Sequence, residues 1–107
     1  MLDGQVLEPR AKGQARRQSA ALPVLGEGAE RRVVLITSRE TKRWVVPKGW
    51  IEKREAPYRS AAREAFEEAG LNGEADPDPL GAYAYGKRMP RGLVLETEVL
   101  VFRFRVA

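Results

Sequence analysis

The chain has 107 residues, enough for one domain with a modest core and for nothing larger. It is 43% hydrophobic and 32% charged, which excludes a disordered chain, and it has neither an apolar run near the ~20 residues of a membrane span nor the apolar core of a signal peptide. The absence of cysteine and histidine excludes disulfides, thiolate metal sites and imidazole bases, fits a cytoplasmic protein and leaves only oxygen ligands for a metal, while the net charge of +4 favours an anionic partner.

The first half of the chain predicts a loose arm followed by short strands. Residues 1–15 are polar and lack periodicity, which is typical of a flexible arm, so we expect the folded domain to span 16–107. A hairpin is expected at about 18–38, where an apolar stretch and a β-branched run flank the turn residues 26–28. A further short strand is expected at 43–46.

The second half predicts one helix between strands. Pro57 suits the first turn of a helix, and Gly70 suits its C-terminal stop. An apolar stripe along this helix is formed by Ala61, Ala62, Ala65, Phe66 and Ala69.

A loop at 72–79 follows the helix, and then two strands at 80–85 and 93–106, joined by a hairpin turn at 89–92. The order of strands, one helix and more strands predicts an α+β fold or a mixed α/β sandwich.

Three carboxylates share one face of the predicted helix. Glu64, Glu67 and Glu68 are related as i, i+3 and i+4, so they repel one another and a helix has no structural reason to gather them. A hard divalent cation would supply that reason, since Mg²⁺ (or Mn²⁺) prefers carboxylate oxygens and also binds substrate phosphates. The spacing therefore predicts a metal site for a phosphorylated substrate.

The same segment resembles the Nudix box, Gly-x5-Glu-x7-Arg-Glu-U-x-Glu-Glu-x-Gly-U with U apolar. The fixed positions are matched by Gly49, Glu55, Arg63, Glu64, Glu67, Glu68 and Gly70. The resemblance implies a Nudix hydrolase with an α/β/α sandwich around a mixed sheet, in which the box forms a loop-helix-loop. Because the family continues past the last predicted strand with another strand and a helix, we expect this chain to be short at its C-terminus.

The resemblance also implies roles for the box residues. The catalytic residues would be Glu64, Glu67, Glu68, Arg63 and Glu55. Metal would be bound by the three helix glutamates and by the backbone carbonyl of Lys48, with Glu64 acting either as a ligand or as the base that activates water. Arg63 would bridge to Glu55 and orient the helix against the loop.

The resemblance also leads to backbone expectations at two positions of the box, Gly49 and Arg54. Gly49 is expected to let the chain turn tightly beneath the metal site. Many family members have glycine where this chain has Arg54, and a positive φ there would cost Arg54 about 1–2 kcal/mol.

The stretch 35–53 resembles the subgroup of diphosphoinositol polyphosphate and diadenosine polyphosphate phosphohydrolases. By that resemblance, substrate phosphates would contact Arg17, Ser19, Ser38, Arg39, Lys42 and Lys48. The alternative for each is a polar or basic residue that only solvates a turn. Trp44 and Trp50 could stack on a substrate base, but packing beside a strand end is the favoured interpretation.

The predicted function is Mg²⁺-dependent hydrolysis of a diphosphate linkage in a small polyphosphorylated molecule. Two alternatives stay open: housecleaning hydrolysis of nucleoside triphosphates or nucleotide sugars, and a non-catalytic module that binds RNA or senses a ligand. Nucleic acid is the less favoured partner because the chain lacks an aromatic-basic RNA motif. A membrane is not an expected partner. A homodimer, formed with a second copy of the chain, stays open.

Overall fold

A computed structural model describes residues 6–7, 16–39 and 41–107. Within these residues lie one α-helix, nine strands and two short 3₁₀ turns at Gly28–Glu30 and Pro90–Gly92. The strands and the helix, in chain order, are β1 (Val6–Leu7), β2 (Arg17–Leu25), β3 (Arg32–Val33), β4 (Ile36–Thr37), β5 (Trp44–Val45), β6 (Lys48–Trp50), α1 (Pro57–Ala69), β7 (Gly73–Ala75), β8 (Gly81–Arg88) and β9 (Val94–Val106).

The two long strands β2 and β9 form the centre of a mixed sheet. They run parallel, in a register that pairs Arg17 with Glu98 and Val24 with Arg105. Strand β8 pairs antiparallel with the other edge of β9, and β6 and β3 pair antiparallel with β2. The predicted α+β fold with a mixed sheet is confirmed. Because β6 pairs with β2, the box loop, residues 49–56 between the start of the box and α1, begins beside β2.

Helix α1 packs on one face of this sheet through small side chains. The core beneath it consists of Ala21, Ala61, Ala65, Phe102 and Phe104, all fully or almost fully buried. Alanines four residues apart lie on one side of a helix, and their size lets α1 approach the two phenylalanines of β9 closely.

The predicted apolar stripe is wrong at Phe66, whose surface is 58% exposed. Phe66 follows Ala65 by one residue, about 100° further around the helix, so it cannot face the sheet together with Ala61 and Ala65.

Both predicted ends of α1 are confirmed. Pro57 occupies the first turn, and Gly70 caps the helix in the left-handed conformation at φ 66°. The N–H of Gly70 donates to the carbonyl of Phe66 and that of Leu71 to the carbonyl of Ala65, so the last turn is closed as in a Schellman motif.

The hairpin predicted at 18–38 is only partly correct. β2 and β3 pair antiparallel, as expected of a hairpin. After β3 the chain leaves the main sheet, and β4 pairs with β5 in a separate two-stranded sheet. The strand predicted at 80–85 continues to Arg88, because every residue from Gly81 to Arg88 has a partner on β9. The turn at 89–92 is confirmed by the hydrogen bond from Met89 N to Leu93 O.

The arm predicted at 1–15 lies outside the described residues except for β1, which pairs parallel with Val94–Leu95. Within the described ranges, no helix has the length and apolar character needed to cross a membrane.

Candidate active site

Arg63 binds the box loop to the box helix. Its Nη2 lies 3.1 Å from Glu55 Oε1, and its Nε lies 3.3 Å from both Glu55 oxygens. Nη2 also donates to the carbonyl of Trp50 at 3.3 Å. These contacts fix the helix against the loop, so the predicted pairing of Arg63 with Glu55 is present.

Arg63 and Glu55 stabilise each other's charged forms. Hydrogen bonds from Arg63 and from the Ser60 hydroxyl, 2.5 Å away, lower the pKa of Glu55 below its usual value. In turn, hydrogen bonding to Glu55, and to a lesser extent to Glu64, raises the pKa of Arg63. The pair therefore remains ionised across the physiological pH range.

The Nη1 atom of the same guanidinium reaches the carboxylates of the helix. It lies 2.8 Å from Glu64 Oε2 and 3.3 Å from Glu67 Oε1. Glu64 is almost fully buried, with 8% of its surface exposed, whereas the side chain of Glu67 is 53% exposed. Arg63 thus orients a buried acid and an open acid at the same time.

The Glu64 carboxylate lies directly against the backbone of Gly49. A side-chain carbon added at position 49 would overlap that carboxylate. Gly49 lies within β6 and has no positive φ, so the predicted tight turn is wrong. Glycine is needed at this position for the close approach of the acid, not for a special backbone conformation.

Glu68 is the third acid of the group. Its Oε1 accepts a hydrogen bond from the backbone N–H of Lys48 at 3.2 Å. Burial and a hydrogen bond shared with Glu64 raise the pKa of Glu68 to about 7. Two carboxyl groups in such contact need a proton or a cation between them.

A divalent cation fits these residues by donor chemistry. Carboxylate oxygens are the donors that Mg²⁺ and Mn²⁺ prefer, and the chain has no histidine or cysteine to compete. In the described part of the chain, no three acidic side chains converge in ligating geometry, because Arg63 holds the oxygens of Glu64 and Glu67. The metal ligation predicted for Glu64, Glu67, Glu68 and the Lys48 carbonyl stays a prediction.

A cleft of about 970 Å³ opens beside the carboxylates. Its walls come from the β4–β5 sheet, from β6, from the exposed side of α1 and from the end of β8. It is lined by Ile36, Thr37, Ser38, Arg39, Thr41, Arg43, Trp44, Val45, Val46, Lys48, Glu67, Glu68, Tyr85, Gly86, Lys87 and Arg88. Acidic and basic side chains thus share one concave surface.

The cleft contains three of the six predicted substrate residues, namely Ser38, Arg39 and Lys48. The structure contradicts the prediction for Ser19, which is fully buried and donates its hydroxyl to the carbonyl of Pro57 at 2.7 Å. Arg17 lies outside the cleft lining and pairs with Glu98 at 3.2 Å on the surface.

Lys42 also lies outside the lining, in the turn between β4 and β5, where its φ is 58°. Its side chain is exposed, as expected of a residue that solvates a turn.

Sequence reasoning missed the contribution of β8 to this cleft. Lys87 and Arg88 enter the lining at the end of the strand, together with Tyr85. Burial, and then the positive charge of Lys87, lower the pKa of Lys48, whereas the charge of Glu68 raises it by a smaller amount. The two lysines therefore share one electrostatic environment. A pair of basic residues at a strand end was the available signal, but pairing with β9 was needed to locate it.

The box loop has the backbone strain expected from its sequence. Arg54 adopts φ 66°, in the region where the residue usual for the family is glycine. The side chain of Arg54 is exposed, and it does not line the cleft.

A family model described as the NUDIX domain matches residues 15–107, and the chain belongs to this family. Diphosphoinositol polyphosphate phosphohydrolase 3-beta from Bos taurus is 37% identical over 59 residues, which are 55% of this chain and 36% of that protein. An octanoyltransferase from Myxococcus xanthus is 41% identical over 76 residues, 68% of this chain and 21% of that protein. The chain therefore spans about a third or less of the length of these two relatives.

A C. elegans Ap4A hydrolase has a similar fold. Its TM-score is 0.61 at 16% identity, and the match covers 86% of this chain and 70% of that one. Family and fold thus agree with the resemblance found in the box.

Proposed function

We propose that this domain is a divalent-metal-dependent pyrophosphohydrolase that cleaves a diphosphate linkage in a small polyphosphorylated molecule. One observation carries the proposal: Glu67 and Glu68 line the same cleft as Arg39, Lys48 and Lys87. A diphosphate bound there would meet both cationic side chains and carboxylates. The names of the relatives, a diphosphoinositol polyphosphate phosphohydrolase and an Ap4A hydrolase, support this substrate class.

The cation would be held by Glu64, Glu67 and Glu68, together with the carbonyl of Lys48. When bound, it would neutralise charge on the phosphate oxygens and acidify a water for attack on phosphorus. Glu64 has the environment of an orienting or proton-accepting group, because it is buried against Gly49 and hydrogen-bonded by Arg63 at 2.8 Å.

Basic residues of the cleft would position the substrate. Lys48 and Lys87 are point charges suited to phosphate oxygens, and Arg39 adds a planar fork that can bind two oxygens at once. Ser38 belongs to the same lining and offers a hydroxyl donor. Holding the phosphate chain in one orientation lowers the barrier by making the attack effectively intramolecular.

The test is a Mg²⁺-dependent substrate screen on this chain. Initial rates are compared for a diphosphoinositol polyphosphate, diadenosine tetraphosphate, ATP and deoxynucleoside triphosphates, each with Mg²⁺ and with excess EDTA. Hydrolysis of the first two that is abolished by EDTA supports the proposal. Faster hydrolysis of deoxynucleoside triphosphates would favour the housecleaning alternative, and no metal-dependent turnover of any substrate would favour a ligand-binding module.

A further inference from the structure

Trp44 is the most exposed of the large apolar side chains in the described part of the chain, with 71% of its surface accessible. It lines the cleft that also contains Glu67 and Glu68, so the prediction that it packs beside a strand end is wrong. Trp44 thus belongs to the site described above. A longer exposed stretch, from Leu80 to Ala84, lies outside that lining and includes the first half of β8.

Strand β8 is an open edge of the main sheet. Among the described residues it pairs only with β9, and it does so along its whole length. The backbone N–H of Met89 donates to the carbonyl of Leu93, which marks a hydrogen-bonded pair, so the alternation of an antiparallel ladder turns the odd-numbered residues of β8 towards β9. The N–H and C=O groups of Ala82, Ala84 and Gly86 therefore point away from β9, into the open edge.

This edge lacks the features that keep exposed strands from pairing. Residues 81–86 include neither a charged side chain nor a proline, and their register with β9 is continuous, without a bulge. Leu80 and Tyr83 expose 60% and 45% of their surfaces, which adds apolar area to the same edge. A regular, uncharged edge of this kind is a template for a strand of another chain.

We propose that β8 pairs antiparallel with β8 of a second copy of this chain, so that the two sheets join across a two-fold axis at Ala84. The outward backbone groups of Ala82 then meet those of Gly86 of the second copy, and the two Ala84 residues meet each other. Tyr83 lies opposite Tyr85 of the second copy, in a non-hydrogen-bonded pair, where side chains approach most closely. The two rings lie 6.3 Å apart within each chain, so the pairing gathers four tyrosines on one face of the joined sheet.

The charges at the two ends of β8 favour a second copy as the partner. Asp78 precedes the strand and Arg91 follows it; both are exposed, and neither forms an ion pair with another described residue. The proposed register sets Leu80 opposite Arg88, so Asp78 of each copy lies beside Arg88 and Arg91 of the other. The strand is therefore complementary in charge to its own antiparallel copy at both ends.

The association is tested by sedimentation velocity of this chain over a range of concentrations. The wild-type chain is expected to pass from the monomer mass to twice that mass as its concentration rises. Ala84→Lys sets two ammonium groups against each other across the two-fold axis and is expected to raise the dimer dissociation constant by roughly 100-fold. Val33→Lys adds the same charge to another exposed strand, β3, and should change the constant by less than about twofold.

Charge reversals test the same interface without altering β8 itself. Asp78→Arg and Arg91→Asp are each expected to raise the dissociation constant by about tenfold, because each sets like charges together at both ends of the interface. The double variant reverses both charges and should restore the wild-type constant within about threefold. Damage to the fold by either substitution would not be repaired in this way.

A wild-type chain that stays monomeric at every concentration would overturn the proposal. A dimer that Ala84→Lys and the single charge reversals leave unaffected would overturn it as well, since the interface would then lie on another surface. Failure of the double variant to recover the association lost in the single variants would contradict the antiparallel register.

Discussion

The carboxylate of Glu64 occupies the space that a side chain at position 49 would fill, so Gly49 and Glu64 form one packed unit between β6 and α1. The acid is buried because the glycine leaves room for it, and Arg63 then fixes its orientation through a contact of 2.8 Å. The site therefore depends on the absence of a side chain at position 49 as well as on its charged side chains.

Gly49→Ala is expected to displace Glu64 and to lower both stability and activity. Forcing one extra carbon into a packed site costs about 1–3 kcal/mol, and the displaced acid can no longer take its place beside Arg63. The loss is measured as a shift of the urea midpoint and as a fall in kcat. The matched control is Gly81→Ala, which meets no atom within 4 Å and should change neither quantity. Similar effects of the two substitutions would contradict the packed unit.

Arg63→Lys is expected to lower kcat by roughly 10–100-fold while leaving the fold intact, because an ammonium cannot replace the fork that reaches Glu55, Glu64 and the Trp50 carbonyl together. Steady-state kinetics and circular dichroism measure the two quantities. Arg59→Lys, an exposed position on the same helix, is the control and should retain wild-type rates. An unchanged kcat in Arg63→Lys would show that the network is not needed for activity.

The pKa of Glu68 predicts a pH dependence of stability in the absence of metal. The folded-state value of about 7 lies above the ordinary value of 4.5, so the protonated form is favoured by folding. Its contribution is complete below pH 4.5 and is lost as the pH rises through 7. In EDTA, the wild-type protein is therefore expected to lose stability between pH 5.5 and pH 8 relative to Glu68→Gln.

Thermal melts of the two proteins across that range measure the difference. Mg²⁺ should stabilise the wild-type protein more at pH 8 than at pH 5.5, since protons compete with the cation for the same oxygens. Parallel curves for the wild type and Glu68→Gln would contradict the strained pair of carboxyl groups.

Substitution of two lysines, one in the cleft and one in the neighbouring turn, shows at which of the two places the substrate binds. Lys87→Ala is expected to raise KM roughly tenfold, and less at high salt, because it removes a positive charge from the cleft lining. Lys42→Ala removes the same charge from an exposed turn outside the lining and should change KM by less than about twofold. The reverse order would show that the substrate lies over the β4–β5 turn.

Local signals were sufficient to predict the helix, whereas the metal-binding role of its three glutamates stays a prediction. Pro57, Gly70 and the spacing of Glu64, Glu67 and Glu68 act within a few turns of one helix, and the structure confirms the helix limits. The Arg63–Glu55 contact also joins residues only eight positions apart.

The cleft could not be predicted in the same way, because its residues meet through pairings between distant segments. Lys87 reaches Lys48 only because β8 pairs with β9, β9 with β2 and β2 with β6. The same registers bury Ser19 beneath α1, and Trp44, on the separate β4–β5 sheet, is 71% exposed. None of these outcomes is encoded within a short stretch of sequence.

Metal-dependent catalysis by the box carboxylates is tested most directly by the Mg²⁺-dependent turnover of Glu67→Gln. Glu67 is half-exposed and contacts only the guanidinium of Arg63 among the described ion pairs, so the amide should preserve the fold. Glu74→Gln, an exposed acid that pairs with Arg105, is the control. We expect a fall in kcat by orders of magnitude for Glu67→Gln and wild-type turnover for the control. Full activity of Glu67→Gln, or full wild-type activity in EDTA, would contradict a metal-dependent pyrophosphohydrolase.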